Sequence, residues 1–217
     1  MNDTSLSQAI ETLLVSRNLR NMQVAQAALK PAYYLRGAQL LHNVRGNVII
    51  GTGFPVIDTF ETDGPVGAIA LYDCLQALGA EPIIACGPPL SDALAGDYRV
   101  LPLTARDLDA AKEEAVTRLQ QLQPAAVISI ERPGVAEDGH YYNMHKQDIS
   151  DATAKFDLFL HESDCPSIAF GDGGNEIGMG NVRDTLAHMD IIPAVTTCDE
   201  LVIASVSNWG VYGVIAA

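Results

Sequence analysis

From residue 47 onward, short apolar runs alternate with segments of helical periodicity, and few fold classes accommodate that alternation. The apolar runs predict strands at residues 48–50, 82–85, 125–130, 168–170 and 201–204. Because these runs are apolar at nearly every position rather than at every second one, we expect strands that are buried on both faces. Such strands, separated by helices, predict the α/β class: a mostly parallel sheet flanked by helices, as in a Rossmann-like layered sandwich.

The segments between these runs predict helices at residues 64–78, 108–122, 151–159 and 183–188, and from residue 208 onward. Residues 4–44 also have a helical pattern, which Pro31 should interrupt because proline cannot continue a helix. We therefore predict an N-terminal helical segment over residues 1–45 and an α/β catalytic-type domain over residues 46–217. Since the last helical pattern is apolar and uncapped, we expect the native domain to continue beyond Ala217.

The charge balance restricts the partners that the protein can bind. Thirteen Lys and Arg residues stand against 27 Asp and Glu residues, a formal net charge of -14. Nucleic acid is not an expected partner, because phosphate binding needs a basic surface, and anionic membranes are disfavoured for the same reason. A small acidic substrate stays compatible, since a pocket can be locally positive within an acidic protein. The sequence also permits a homo-oligomer.

Cysteine usage and the lack of targeting patterns indicate a cytoplasmic protein. The cysteines are isolated from one another in the sequence, at Cys74, Cys86, Cys165 and Cys198. Without a Cys-x-x-Cys pair or clustered histidines, we expect no zinc site and reduced thiols. No basic segment followed by an apolar one opens the sequence, and no apolar run approaches the ~20 residues of a membrane span.

Glycines and polar residues follow four of the predicted strands. Ligands of open parallel sheets bind beyond the carboxyl ends of the strands, where loops lead into helices. In chain order, the four loops contain Gly51-Thr52-Gly53 with Asp58, Glu61, Thr62 and Asp63; Glu131-Arg132 with residues 138–143; the glycine-rich run 171–180; and residues 205–210. We therefore predict a single ligand site that these loops share.

The glycine-rich run carries the strongest functional signal. Its sequence is Gly171-Asp172-Gly173-Gly174-Asn175-Glu176-Ile177-Gly178-Met179-Gly180. Glycine has no Cβ and accepts positive φ, so such a loop can bring its backbone close to a ligand. Three short polar side chains among five glycines serve no apolar core, so we predict a functional role for Asp172, Asn175 and Glu176.

Other polar residues at the strand ends have ordinary structural interpretations as well. Asp63 is placed to cap the helix at 64–78, and Ser207 or Asn208 to cap the last helix. Glu131 and Arg132 can form an ion pair with each other. Capping and pairing do not prevent these residues from lining a pocket.

The motifs of common nucleotide enzymes are missing. Gly51-Thr52-Gly53 is followed by Phe54-Pro55 instead of a third glycine that opens a helix, and the sequence has no Gly-Lys-Ser/Thr motif. The Gly-x-Ser-x-Gly motif of α/β-hydrolases is also absent. Nicotinamide or ATP binding is therefore only weakly supported.

The glycine-rich run, together with Asp138-Gly139, Tyr141-Tyr142-Asn143-Met144 and Ser207-Asn208-Trp209-Gly210, resembles the D-glutamate cyclase family. That family includes the carboxy-terminal domain of the mitochondrial vertebrate enzyme and bacterial proteins of a domain of unknown function. The similarity extends from about Gly51 to the end of the chain. It implies a hydro-lyase that converts D-glutamate to 5-oxo-D-proline and water, with no cofactor.

Ring closure requires a base for the amine, an acid for the departing oxygen, and stabilisation of the oxyanion. Under this resemblance, Asp172 or Glu176 is the base, and the other carboxyl group, or Glu131, is the acid. The amides of Gly173 and Gly174, with Asn175, stabilise the oxyanion. The predicted substrate-binding residues are Arg132, which holds a carboxylate, Thr52, Asn143, Ser207 and Asn208, which donate or accept hydrogen bonds, and Gly53 and Asp63, which line the pocket.

Two other functions fit the same residues. The carboxylates of Asp63, Glu131, Asp172, Glu176 and Asp199 could form an all-oxygen Mg²⁺ or Mn²⁺ site, as in a metal-dependent hydrolase or phosphatase. Alternatively, the protein could be a non-catalytic module that binds a small acid or a nucleotide.

Overall fold

A computed structural model describes residues 2–56 and 59–217 of the protein. Its main sheet has the strands β1 Gly46–Thr52, β4 Ala80–Cys86, β5 Val100–Pro102, β6 Ala126–Ile130, β7 Ser167–Gly171 and β8 Glu200–Ile203. These strands are all parallel and lie in the order β5-β4-β1-β6-β7-β8. Two short antiparallel strands, β2 Pro55–Val56 and β3 Thr59–Phe60, form a separate hairpin. The predicted α/β class with a parallel sheet is confirmed; Asp58, predicted near the site, lies outside the described residues.

Helices cover both faces of the sheet. In the described residues they are α1 Asp3–Leu14, α2 Met22–Ala28, α3 Tyr33–His42, α4 Pro65–Ala77, α5 Leu90–Leu94, α6 Leu108–Leu122, α7 Asp157–His161, α8 Arg183–Leu186 and α9 Ser207–Ala216. Side chains of α3, α4 and α9 share one core cluster with Val48 and Ile50, whereas α6 and α7 share the other with Ile49. Successive residues of β1 thus point to opposite faces, and both faces are buried because both carry helices.

The N-terminal helices pack onto the sheet through α3. Tyr33 and Tyr34 are fully buried, and the hydroxyl of Tyr34 donates to the main-chain oxygen of Ile203 at 3.0 Å. Arg36 pairs with Glu200 through two hydrogen bonds, of 2.6 and 2.9 Å. The interruption predicted at Pro31 is confirmed, since α2 ends before it and α3 begins after it.

Several element boundaries differ from the sequence prediction. The helix predicted at 151–159 begins only at Asp157. Before it, the amides of Ala152 and Thr153 donate to main-chain oxygens three residues earlier, as in separate turns. The helix predicted at 183–188 ends at Leu186 and follows a 3₁₀ turn over Met179–Val182. The short elements α5 and β5 were not predicted, since a few residues carry little periodicity. Within the described ranges, no helix has the length and apolar character needed to cross a bilayer.

Candidate active site

The predicted site loops meet at the carboxyl edge of the sheet. The strand order reverses direction between β1 and β6, and the loops that follow these two strands flank the crevice that such a reversal creates. A cavity of about 570 Å³ opens there. Its lining comes from the loops after β1, β6 and β7, from residues 143–149, and from Arg20 in the N-terminal segment. The structure therefore brings together loops that are far apart in the sequence.

Three buried carboxyl groups line this cavity, and a fourth, that of Asp63, lies close to two of them. Glu131, Asp172 and Glu176 are buried, with 5%, 3% and 2% of their surface exposed, and Asp63 is half-buried. One oxygen each from Asp63, Glu131 and Asp172 lies within 4.8 Å of the other two. Since buried carboxylates repel one another strongly in a low dielectric, such a group favours protonated carboxyls or a bound cation.

Glu131 is held at the end of β6 in an unusual backbone conformation. Its φ of 47° lies in the left-handed region that non-glycine residues seldom adopt and that is enriched at functional sites. Gly64, at φ 93°, packs against it so closely that a Cβ would lie 2.8 Å from the Glu131 Cβ. The side chain accepts a hydrogen bond from Ser207 Oγ. Burial, followed by the charges of Asp172, Glu176 and Asp63, raises the pKa of Glu131 well above its usual range.

Asp172 also has a raised pKa. Burial, and then the charge of Glu176, raises the pKa of Asp172 to about 8, although Arg20 opposes the shift. The Nη1 atom of Arg20 lies 2.7 Å from Asp172 Oδ1. A carboxyl group in this state can both accept and release a proton near neutral pH, which suits acid–base catalysis.

Glu176 is surrounded by the glycine-rich loop itself. Its Oε2 atom accepts from the Gly174 amide at 2.7 Å. Burial raises the pKa of Glu176, while hydrogen bonds from the amides of Gly174, Glu176 and Gly173 oppose the shift. The glycine amides that were predicted to stabilise an oxyanion are therefore directed at the carboxylate of Glu176.

Asn175 and Asn143 organise the loops of the cavity. Asn175 is buried, and its Nδ2 donates to the main-chain oxygen of Tyr142 at 2.9 Å. The Oδ1 atom of Asn143 accepts from the amides of His145 and Gln147, so this side chain closes a local turn. Both asparagines line the cavity, and their observed hydrogen bonds go to the protein.

Arg132 does not point its terminal nitrogens at the carboxyl cluster. Nη1 donates to the main-chain oxygens of Thr52 and Gly53, at 3.1 and 2.9 Å, and Nη2 donates to that of Ala154. The side chain is 3% exposed, and burial lowers the pKa of Arg132 to about 10. The substrate carboxylate that the sequence assigned to Arg132 would have to displace these carbonyls. Gly53 likewise lies beside Arg132 rather than in the main cavity.

Arg20, and not Arg132, is the arginine that contacts the carboxyl cluster. Burial acts to lower its pKa, but the charges of Asp172, Glu131 and Glu176 outweigh that effect and raise it. Sequence reasoning missed Arg20 because it lies in a segment without recognisable motifs, about 150 positions before the glycine-rich run. The predicted site contained several carboxylates and a single arginine. This excess of negative charge indicated that a further cation had to come from another part of the chain.

Asp63 and Asn208 cap each other's helices. The carboxylate of Asp63 accepts from the amides of Ser207 and Asn208, at 3.0 and 2.8 Å, where α9 begins. Asn208 Oδ1 accepts from the amides of Gly64 and Gly67, at 3.0 and 2.7 Å, where α4 begins. The prediction that Asp63 caps its own helix was wrong: although it also accepts from Gly64, the capping side chain of α4 belongs to Asn208.

The reciprocal caps affect what can bind in the crevice. In dinucleotide-binding folds the first helix presents free amides to a pyrophosphate. Here the corresponding helix, α4, has its first amides engaged by Asn208, and the crevice beside it is acidic. Both features disfavour a phosphate ligand.

Asp63, Glu131 and Asp172 are the residues that could hold a divalent cation. Thr52 Oγ1 is fully buried and has no hydrogen-bond partner among the described residues, and it lies beside the same Gly64–Glu131 contact. Two members of the wider set predicted from the sequence, Glu176 and Asp199, lie outside this three-residue group. Asp199 precedes β8 at the opposite end of the sheet, where it accepts from the amide and hydroxyl of Ser167.

Together, fold and site define a doubly wound α/β protein with a buried cluster of acid–base carboxyl groups at its switch point. The family model for the C-terminal part of D-glutamate cyclase-like proteins matches residues 10–217. The chain belongs to the D-glutamate cyclase-like family. It is 35% identical over 208 residues to human mitochondrial D-glutamate cyclase, covering 79% of this chain and 32% of the human protein. The chain thus spans about a third of the length of that relative.

A structural comparison gives a weaker resemblance. The crystal structure of AibC has a TM-score of 0.37 and 14% identity, over 84% of this chain and 47% of that one. Such a partial likeness defines neither substrate nor mechanism.

Proposed function

We propose that the protein is a D-glutamate cyclase-like hydro-lyase that converts D-glutamate to 5-oxo-D-proline and water. The observation that carries this proposal is the cluster of adjacent buried carboxyl groups, in which burial and neighbouring charges raise the pKa values of Glu131 and Asp172. Family membership and the similarity to a human D-glutamate cyclase support the same activity.

The reaction needs two proton transfers and no redox chemistry. The substrate ammonium must lose a proton so that its nitrogen can attack the γ-carboxyl carbon, forming the C–N bond. One C–O bond of the tetrahedral intermediate then breaks. The nitrogen loses a second proton, and the departing oxygen leaves as water after receiving protons. Because amine and carboxyl group belong to one molecule, positioning a folded conformer can contribute ~7–11 kcal/mol to the barrier reduction.

We assign the base to Asp172 and the acid to Glu131. A base is most effective when its pKa is near the working pH, and the value of about 8 for Asp172 meets that condition. Glu131 is oriented by Ser207, and its raised pKa favours the protonated form. We therefore assign it to neutralise the γ-carboxylate and to protonate the leaving oxygen. Glu176, whose negative charge is supported by the glycine amides, is suited to hold the substrate ammonium.

The direct test is incubation of the purified protein with D-glutamate, followed by chromatography for 5-oxoproline. We expect 5-oxo-D-proline from D-glutamate and much less product from L-glutamate. The absence of product above the spontaneous rate, from protein shown to be folded by circular dichroism, would refute the proposal.

A metal-dependent hydrolase or phosphatase is the second candidate, and the 4.8 Å clustering of Asp63, Glu131 and Asp172 is the observation that favours it. If it is correct, a chelator should abolish activity and Mg²⁺ or Mn²⁺ should restore it. Cyclase activity that survives dialysis against EDTA would count against this candidate. Thermal-shift measurements with D-glutamate, 5-oxoproline and nucleotides test the non-catalytic binding module, which would be stabilised by ligand without turning it over.

The cytoplasm is still our predicted compartment, although the name of the human relative places that protein in mitochondria. A homo-oligomer is likewise a prediction. Size-exclusion chromatography with light scattering would determine the oligomeric state.

A further inference from the structure

We propose that Arg20, from the N-terminal helical segment, binds the α-carboxylate of the substrate at the mouth of the cavity. The inference rests on the proposed cyclase function and names a substrate-binding residue that the glycine-rich motifs do not contain. It makes residues outside the predicted α/β domain part of the site.

A well-anchored turn places Arg20 over the cavity. It connects α1 to α2, and the residues flanking it, Val15 and Met22, are 1% and 0% exposed. Asn18 and Asn21 adopt φ values of 46° and 57°, a conformation that asparagine tolerates better than most residues. The side chain of Asn18 accepts from the Gln23 amide at 3.1 Å. The turn is thus fixed on both sides, and Arg20 extends from it toward Asp172.

The guanidinium retains capacity to bind a ligand. Nη1 pairs with Asp172, whereas the partner of Nη2 within the described part of the chain is the sulfur of Met144 at 4.0 Å, a weak acceptor. The side chain is 33% exposed, so a small molecule in the cavity can reach it. A carboxylate can accept two parallel hydrogen bonds from an arginine, which fixes its orientation as well as its position.

The other basic side chains near the site are engaged elsewhere. Arg132 donates its terminal nitrogens to main-chain oxygens, and Lys155 donates to those of Ser150 and Thr153. Lys146 pairs with Asp190, and Arg183 with Glu137. Among the described residues that line the cavity, Arg20 is the one with a permanent positive charge, and His145 is the other basic residue.

The depth of the cavity indicates which carboxylate Arg20 binds. Glu131, Asp172 and Glu176 form the buried floor, where proton transfer is shielded from water, so the reacting amine and γ-carboxyl group belong there. The α-carboxylate does not react and keeps its charge in the product. It is therefore best placed at the partly exposed mouth, against a permanent cation.

Product binding tests this assignment, because 5-oxo-D-proline retains the α-carboxylate whereas 2-pyrrolidinone has the same ring without it. Both are measured as competitive inhibitors of D-glutamate turnover in wild type, Arg20→Ala and Arg20→Gln. We expect the inhibition constant of 5-oxo-D-proline to rise by ~10-fold or more in both variants, as for loss of a charged hydrogen bond. The constant for 2-pyrrolidinone should change less than ~2-fold, within the range of a surface substitution.

The matched control is Arg17→Ala, since Arg17 lies three residues earlier and is exposed. It should leave turnover and both inhibition constants unchanged. If Arg20→Ala fails to fold, Arg20→Gln preserves the length of the side chain, and added guanidinium should partly restore 5-oxo-D-proline binding to a folded variant.

The outcomes separate the two proposals. Wild-type protein that does not cyclise D-glutamate refutes the proposed function and this inference with it. Wild-type turnover, combined with unchanged 5-oxo-D-proline inhibition in folded Arg20 variants, refutes the inference alone. An equal loss of both inhibitors would also refute it, because it would show a general distortion of the cavity.

Discussion

Two of the cavities in the described structure contain carboxyl groups that are held in different ways. The larger, of about 850 Å³, lies beside α7 and the amino ends of β7 and β8; we call it the α7 cavity. There, Asp199 accepts from the amide and hydroxyl of Ser167, and Asp157 from the Val135 amide and the Thr196 hydroxyl. In the smaller cavity, of about 570 Å³, the carboxyl groups face one another.

This difference shows that cavity volume does not identify the functional site. Amide and hydroxyl donors stabilise a carboxylate without making it reactive, as in the α7 cavity. Carboxyl groups that crowd together in a buried place have raised pKa values, and such groups are characteristic of catalytic sites. The distribution of buried charge therefore distinguishes the two cavities.

The largest expected contrast is in activity. Asp172→Asn removes the proposed base while preserving its shape, so turnover of D-glutamate should fall by ~10²-fold or more. Asp199→Asn in the α7 cavity should change turnover by less than ~2-fold. Steady-state kinetics on the folded variants measures both, and equal effects of the two substitutions would remove the distinction between the cavities.

The carboxyl groups of the two cavities should also differ in how they make the free energy of unfolding depend on pH. The pKa of Asp172 is raised from 3.8 to about 8 on folding. Between these values the folded protein holds a proton that the unfolded chain releases, so the free energy of unfolding from this group falls as pH rises. Each pKa unit corresponds to about 1.4 kcal/mol, so we expect the free energy of unfolding to fall by at least about 1 kcal/mol between pH 5 and pH 9.

Asp172→Asn should flatten this part of the stability curve and raise the Tm at pH 9 by at least about 2 °C relative to wild type. Asp199→Asn should leave the change of Tm with pH the same as in wild type. Thermal unfolding between pH 5 and pH 9 provides the comparison. Parallel curves for wild type and Asp172→Asn would show that Asp172 is ionised throughout that range.

A smaller contrast concerns the helix caps. Asn208→Ala leaves the Gly64 and Gly67 amides without their capping oxygen and should cost about 1–2 kcal/mol of stability. Asp107→Ala removes a comparable cap, from the Ala110 amide of α6, far from the carboxyl cluster. Both variants should lose Tm, but only Asn208→Ala should also lose activity. Full activity in Asn208→Ala would show that the cap does not position the site.

Local patterns predicted much of the architecture. The apolar runs gave the positions of β1, β4, β6, β7 and β8, since a strand buried on both faces is apolar throughout. The same strand ends placed Glu131, Asp172 and Glu176 at one edge, where all three line the same cavity. These predictions succeeded because each depends on a short stretch of sequence and on the general geometry of parallel sheets.

Pairings between distant residues could not be predicted in this way. No local pattern connects Arg20 with Asp172, or identifies the carbonyls of Thr52 and Gly53 as the partners of Arg132. A charged side chain in the sequence has several possible partners, and tertiary packing selects among them. The two arginines therefore have roles that the sequence alone could not distinguish.

The exchanged caps of α4 and α9 also have an evolutionary consequence. Asp63 and Asn208 stand 145 positions apart, yet each satisfies the backbone of the other's helix. Replacing one of them leaves amides unsatisfied on its partner's helix, so the effects of two replacements should not add. Natural variation at these positions should therefore be correlated: related proteins should keep the pair or change both members together.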